Sequence, residues 1–300
     1  MKKILPIIFV FTILIIIVII FMHFNKAASQ TKQIKINDQL SIGYELIGHG
    51  DTIVLCQGAY LNMHAWDPEM LAELSKQYSI LLWDYPGIGV SSAIENFGAE
   101  QLADILKQIL TSLNIKPKAV LGYSMGGFVA QVFAIKYPHD LKNLILVSTY
   151  MGENTKSKPV FQTGTSMQQG TLSEKLPAMM PFLFSDKSTE DKLRVKMQKI
   201  FRNADNFGSP SAAVIKQEQQ LAAEWMTNNL FRKHLAELSV PTLTLAGEQD
   251  HLVTLKQSKE LARLIRNSTL VLYPNTGHGL MFQYPLEAAN AIIKFISSKT

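Results

Sequence analysis

Ala119-Val120-Leu121-Gly122-Tyr123-Ser124-Met125-Gly126-Gly127 decides how the rest of the chain is read. Residues 119–121 are a short apolar run of the kind a buried strand shows, and the spacing from 126 to 137 predicts a helix that Pro138 ends. Only a few residues are left for the turn between them. A turn that sharp forces its central residue, Ser124, into a strained backbone conformation and pushes the side chain clear of the strand. Glycines must flank it, because a Cβ would collide where strand and helix approach. The Gly-X-Ser-X-Gly pattern recurs by chance when taken alone; the strand before it and the helix after it give it weight.

Outward from this turn, strands and helices alternate. Residues 33–47 predict two short strands turned around Asn37-Asp38. Strands follow at 52–56, 79–83 and 144–147, with helices at 66–78 and 99–113. From 151 to 236 no apolar strand run appears; the stretch is polar and Met-rich, with helical spacing near 187–204 and 210–226. The rhythm resumes after Pro241 with a strand at 242–246, a helix at 256–265, a strand at 269–273 and a helix at 285–296. Such alternation calls for an α/β fold, a mostly parallel sheet with helices on both faces. Its core is expected in two parts, 26–150 and 237–300, with 151–236 inserted as a helical cap.

A serine hydroxyl needs a base to become a nucleophile. His278 stands in Asn275-Thr276-Gly277-His278-Gly279 directly after the last strand, at the sheet edge where ligand-binding residues of open α/β sheets gather. Asp250 also follows a strand, in Gly247-Glu248-Gln249-Asp250-His251. A buried carboxylate there can accept the second N–H of the base and fix its tautomer. Glu248 is the second choice for that acid. His251 is set aside, because adjacent residues do not readily present both side chains to one serine. His23, His49, His139 and His234 suit surface or packing roles, while His64, in the loop after Gly58, is a candidate to line a pocket.

The order Ser124, Asp250, His278 is the one expected of α/β-hydrolases. Residues 36–296 resemble a capped serine hydrolase of that superfamily, of the esterase- and lipase-like branch, and further motifs agree. Gln57-Gly58-Ala59 resembles the family's His-Gly-X oxyanion loop, with Gln57 in place of the usual His. Asp84-Tyr85-Pro86-Gly87-Ile88-Gly89-Val90-Ser91 resembles its Asp-X-X-Gly-X-Gly-X-Ser turn, in which Asp84 is expected to tie down its own loop. The resemblance implies Ser124 as nucleophile, His278 as base, Asp250 as the acid orienting it, and an oxyanion hole from the backbone N–H groups of Ala59 and Met125. It suggests Tyr60, His64 and Tyr123 as substrate contacts. An ester-like or acyl small molecule is the implied substrate. Carboxylesterase, lipase, C–C bond hydrolase, acyltransferase and cofactor-free haloperoxidase chemistry stay open within the fold, as does a non-catalytic ligand-binding receptor or interaction scaffold. A serine at this position argues against dehalogenases and epoxide hydrolases, which place an aspartate there. No His, Cys or carboxylate cluster has metal-ligand spacing, so neither metal nor organic cofactor is expected.

Phe161, Met179, Met180, Phe182, Phe184, Phe201 and Trp225 within 151–236 are expected either to wall a pocket over Ser124 or to form the insertion's own core. At the N-terminus Lys2 and Lys3 precede Ile4 to Met22, nineteen residues without a charge. As a helix these would cover roughly 28 Å, close to the hydrocarbon thickness of a bilayer. Residues 1–25 therefore read as a membrane anchor with the catalytic domain outside the cytoplasmic membrane. The alternative is a signal segment cut near Ala27-Ala28-Ser29, releasing a secreted enzyme. An apolar cap on a tethered enzyme suggests a lipophilic substrate. The net charge of +5 comes entirely from Lys2, Lys3, Lys26, Lys32 and Lys35, leaving 24 basic and 24 acidic residues beyond them. The basic face of a nucleic-acid binder is missing. Cys56, the lone cysteine, excludes an internal disulfide. Nothing in the sequence sets an oligomeric state.

Overall fold

Three strands, β3 (Thr52–Cys56), β5 (Ala119–Tyr123) and β6 (Asn143–Val147), are buried at every residue, as uninterrupted apolar runs demand of strands covered on both faces. They form the middle of a sheet completed by β1 (Lys32–Lys35), β2 (Ser41–Gly48), β4 (Ser79–Trp83), β7 (Thr242–Gly247) and β8 (Ser268–Tyr273). The computed structural model describes residues 31–152, 170–228 and 230–299. The expected anchor at 1–25, and Phe161, lie outside them; among the described residues no helix is long and apolar enough to cross a membrane.

The eight strands run in the order β1-β2-β4-β3-β5-β6-β7-β8. β2 is antiparallel to both its neighbours and all other pairs are parallel. Leu55 pairs with Leu121, Leu121 with Ile145, and Ile145 with Leu243, so one row of side chains shares a face. That face packs under α1 (Pro68–Ser75) and α10 (Pro285–Ser297). The alternate row, Val54, Val120 and Leu144 among it, packs under α2 (Ala99–Ser112), α3 (Met125–Lys136) and α8 (Leu255–Leu264).

The first helix is shorter than the expected 66–78. Asp67 caps it by accepting from Glu69 N and Met70 N, with Pro68 in the first turn, so Trp66 stays extended. Between β6 and β7 the described residues form four helices, α4 (Leu172–Leu183), α5 (Lys187–Asp205), α6 (Ala212–Thr227) and α7 (Leu230–Glu237). A four-residue helix, α9 (Leu280–Gln283), follows β8. The four-helix segment is seated by polar ties as well as packing. Asn62 Nδ2 donates to Ala204 O (2.8 Å) and Gly208 O (2.9 Å), and Trp225 stacks on Phe128 at 4.7 Å while its Nε1 donates to Tyr150 O.

The close approach expected around Ser124 is present. A Cβ on Gly122 would stand 2.3 Å from Gly126 O, and one on Gly126 would stand 2.1 Å from Cys56 O at the end of β3. Both obstacles are backbone and cannot turn aside. Gly126→Ala is therefore expected to destabilise the fold by about 3 kcal/mol, measured as the shift in urea midpoint; an unchanged midpoint would contradict the packing described.

Candidate active site

Ser124 sits between the last residue of β5 and the first of α3 with φ 52° and ψ −120°. Its backbone is held on three sides. Its N–H donates to Val147 O (2.9 Å), and its carbonyl accepts from Gly127 N (2.9 Å) and Thr149 Oγ1 (2.8 Å). The side chain is left half-buried and facing a cavity.

Asp250 reaches the same place from the loop after β7. Its Oδ1 accepts from Leu252 N (2.8 Å) and Val253 N (2.9 Å), an Asx turn that fixes the carboxylate. Oδ2 is thereby aimed at His278 Nδ1, 2.8 Å away, and His278 Nε2 lies 2.9 Å from Ser124 Oγ. Asp250 is 4% exposed and His278 2%, so the pair is shielded from water. The His278 loop is pinned from two sides: Tyr123 Oη donates to His278 O (3.3 Å), and Gly279 N donates to Leu183 O of α4 (2.6 Å). Glu248 and His251, by contrast, are exposed, as are His49, His139 and His234. His23 is outside the described residues.

Ala59 and Met125 flank Ser124, and among the described residues neither N–H donates a hydrogen bond. The Met125 N–H opens α3, where the helix dipole favours negative charge. Two cavities meet at the serine and share Ala59, Ser124, Leu252 and His278. One, of about 50 Å³, is walled by Tyr60, Tyr123, Met179, Phe182, Phe201 and Phe282 among others. The second, of about 70 Å³, is walled by Met125, Phe128, Tyr150 and Met226 among others. Of the aromatic and methionine side chains expected in the insertion, Met179, Phe182 and Phe201 reach the serine cavity. Met180, Phe184 and Trp225 are buried without lining it.

His64 does not belong to this cavity, contrary to the sequence expectation. Asn62 caps a 3₁₀ turn at Met63–Ala65, and His64 stacks on Phe207 (3.5 Å) with Nε2 3.6 Å from Glu45. It lines a separate surface cavity with Trp66 and Lys199. Three supporting residues escaped the sequence reading. Thr149 holds the Ser124 carbonyl. Tyr85 donates its hydroxyl to Gln57 O (3.0 Å). Glu218, fully buried on α6, accepts from Tyr60 N (2.8 Å). A signal for Glu218 existed: it stands in the stripe Val214, Ile215, Glu218, Leu221, Trp225, whose spacing places an acid on the buried face of a helix.

A family model described as the alpha/beta hydrolase fold matches residues 51–285. The chain is 25% identical over 289 residues to 2-hydroxy-6-oxononadienedioate/2-hydroxy-6-oxononatrienedioate hydrolase 1 of Pseudomonas putida, covering 91% of this chain and 98% of that one. It is 25% identical over 260 residues to the monoacylglycerol lipase ABHD6 of Bos taurus, covering 84% and 77%. In fold it is similar to a thermophilic esterase from Thermogutta terrifontis, with a TM-score of 0.76 at 24% identity over 90% of this chain and 99% of that one.

Asp84 lies outside the serine cavities and holds backbone. Its Oδ1 accepts from Met63 N (2.7 Å), and Oδ2 lies where a Cβ on Gly89 would fall, so the carboxylate braces the 3₁₀ turn as well as its own loop. Burial pushes this carboxyl up to about 7, against the Met63 N–H, and the Glu45 charge adds to the rise. The folded state then holds a proton that the unfolded carboxyl, near 3.9, releases. The associated stability is complete below the unfolded value and is lost as pH rises through about 7. The urea midpoint of wild type is expected to fall from pH 5 to 8 more steeply than that of Asp84→Asn; parallel curves would refute this titration.

Proposed function

The chain belongs to the α/β-hydrolase fold family, and on that premise we propose that it is a serine hydrolase cleaving esters of short, uncharged, apolar acyl groups. The observation that carries the reading is the continuous line from Asp250 Oδ2 through His278 to Ser124 Oγ, with contacts of 2.8 and 2.9 Å, ending in an apolar cavity.

In this reading His278 Nε2 takes the Ser124 proton as Oγ attacks the ester carbonyl, and Asp250 steadies the imidazolium through Nδ1. The N–H groups of Ala59 and Met125 receive the oxyanion, a contribution worth about 10²–10³ in rate for each donor. His278 then protonates the departing alcohol, and afterwards draws a proton from the water that releases the acid. Shielding of His278 and Asp250 from bulk solvent strengthens each of these electrostatic contacts.

The cavity walls bear on the substrate. A substrate named as a dioate carries two carboxylates, and a buried carboxylate needs a cationic partner. Among the described residues, neither cavity at Ser124 is lined by Lys or Arg. This favours a neutral acyl group, in keeping with the lipase relative, over a diacid. Size narrows the choice further. The larger cavity, about 70 Å³, is well below the ~150 Å³ of an engineered cavity that takes up benzene. The expectation of a lipophilic chain thus contracts to a short apolar one unless the helices of the insertion move.

Wild type is expected to react with a fluorophosphonate, and Ser124→Ala and His278→Ala to stay unlabelled. Across p-nitrophenyl esters, kcat/KM should peak at a short apolar acyl chain and drop for palmitoyl and for the charged hemisuccinate. Equal turnover of the hemisuccinate would remove the neutral-acyl reading, and an unlabelled, folded wild type would remove the hydrolase reading itself.

Residues 1–25 are proposed to anchor the enzyme with its catalytic domain outside the cytoplasmic membrane, supported by the uncharged run from Ile4 to Met22 behind Lys2 and Lys3. Full-length protein should stay with membranes through alkaline carbonate extraction and be digested by protease added to intact cells. Recovery from the medium with a new N-terminus near Ser29 would favour the cleaved, secreted form instead.

A further inference from the structure

The loop that supplies the Ala59 N–H is gripped by the insertion as well as by the sheet. Tyr60, the next residue, holds φ +68°, a conformation that residues with a Cβ rarely adopt. Its N–H donates to Glu218 Oε2 on α6, 158 residues away in the chain. Glu218 is fully buried and makes this bond from inside the insertion. Further along the loop the core side ties Gln57 O, through Tyr85 Oη, and Met63 N, through Asp84 Oδ1, while Asn62 Nδ2 reaches Ala204 O and Gly208 O of the insertion.

We propose that Glu218 is a positioning residue, which sets the Ala59 oxyanion donor by holding the Ala59–Tyr60 peptide in place through the Tyr60 N–H. The inference rests on the serine-hydrolase reading above. Its geometric basis is short. φ of Tyr60 turns about the bond next to that peptide, so a Tyr60 relaxing towards negative φ rotates the peptide plane and carries Ala59 with it. A buried acceptor 2.8 Å from the N–H opposes that rotation. Oxyanion donors act only when pre-set to the position the charge will occupy, so a small shift at Ala59 is read in the chemical step more than in binding.

The surroundings of Glu218 shape the test. Lys175 on α4 is buried beside it and attracts it, while the phenols of Tyr60 and Tyr85 also face it. Burial raises the Glu218 carboxyl to about 8, with the Tyr60 N–H and the Lys175 charge opposing the rise. Glutamine is a near-isosteric replacement that keeps an acceptor for Tyr60 N. Deleting the acid alone would strand the Lys175 charge in the interior. The informative deletion therefore pairs Glu218→Leu with Lys175→Met. The seat of the insertion does not depend on this contact, since Asn62 and Trp225 tie it elsewhere.

The experiment is steady-state kinetics of the full chain on a p-nitrophenyl ester, with thermal melting and fluorophosphonate labelling of each variant. The Leu/Met pair is expected to lose about tenfold or more in kcat with KM within about twofold. Glu218→Gln should retain most of the wild-type kcat. Glu218→Asp, which withdraws the carboxyl by one methylene, should resemble the Leu/Met pair, and it replaces that pair if the pair does not fold. A folded deletion variant with wild-type kcat overturns the proposal, as does a Glu218→Gln variant as impaired as Glu218→Asp. A wild type that neither labels nor turns over ester overturns instead the hydrolase reading on which the proposal rests.

Discussion

Ser124 at φ 52° and ψ −120° occupies backbone space that costs on the order of 1–3 kcal/mol for a residue with a Cβ. Such a conformation persists only where its neighbours over-determine it, and here they do. β6 accepts the Ser124 N–H through Val147, Gly127 and Thr149 donate to its carbonyl, and each bond contributes about 1 kcal/mol net. The glycines at 122, 126 and 127 let β3, β5 and α3 approach to distances no side chain permits. Strand order, the start of α3 and the exposure of Oγ are therefore one arrangement. Moving any of them returns Ser124 to ordinary backbone and takes the hydroxyl away from His278.

That arrangement was legible in the sequence because it is local. The glycine spacing, the apolar run before it and the helical run after it all lie within a score of residues, and the strands at Thr52–Cys56 and Ser79–Trp83 fall on the predicted residues. Asp250 and Glu248 lie in one loop, and the sequence offers no physical ground for ranking Asp250 above Glu248. The structure supplies the physical reason for that choice, an Asx turn with Leu252 and Val253 that buries Asp250 and leaves Glu248 in solvent. The insertion was less legible. α4 carries Pro177 and Pro181 inside it, which read as breakers, yet its Thr171–Glu174 capping box and the packing of Leu176, Met180 and Leu183 outweigh them. His64 was misplaced because nothing in its neighbourhood announces that Asn62 will cap a 3₁₀ turn or that the ring will stack on Phe207.

Long-range polar contacts were the least legible part. Helical spacing sets Glu218 on the buried face of α6, but nothing in Lys216-Gln217-Glu218-Gln219-Gln220 tells that it meets Tyr60 across the fold. The same holds for Tyr85, whose motif explains a loop but not the hydroxyl that reaches Gln57 O. Periodicity tells which face of an element is covered. It says nothing of which backbone atom waits on the other side.

Those contacts share a feature that bears on how the site tolerates change. The loop from Gln57 to Met63 is held by the Asn62 side chain and through three main-chain atoms: Gln57 O by Tyr85, Tyr60 N by Glu218, and Met63 N by Asp84. Two of the three partners are buried carboxyls that burial drives towards neutrality, and an acid in that state still accepts from an N–H without the cost of an unpaired charge. Main-chain bonds are indifferent to the side chain at the position they hold. This accounts for glutamine at 57, where the resembling families carry histidine, without displacing Ala59 from Ser124. What such a loop cannot absorb is a change in the groups that grip it. Variation at Gln57 should therefore be tolerated better than variation at Tyr85, Asp84 or Glu218, although none of these three lies on the line from Asp250 to Ser124.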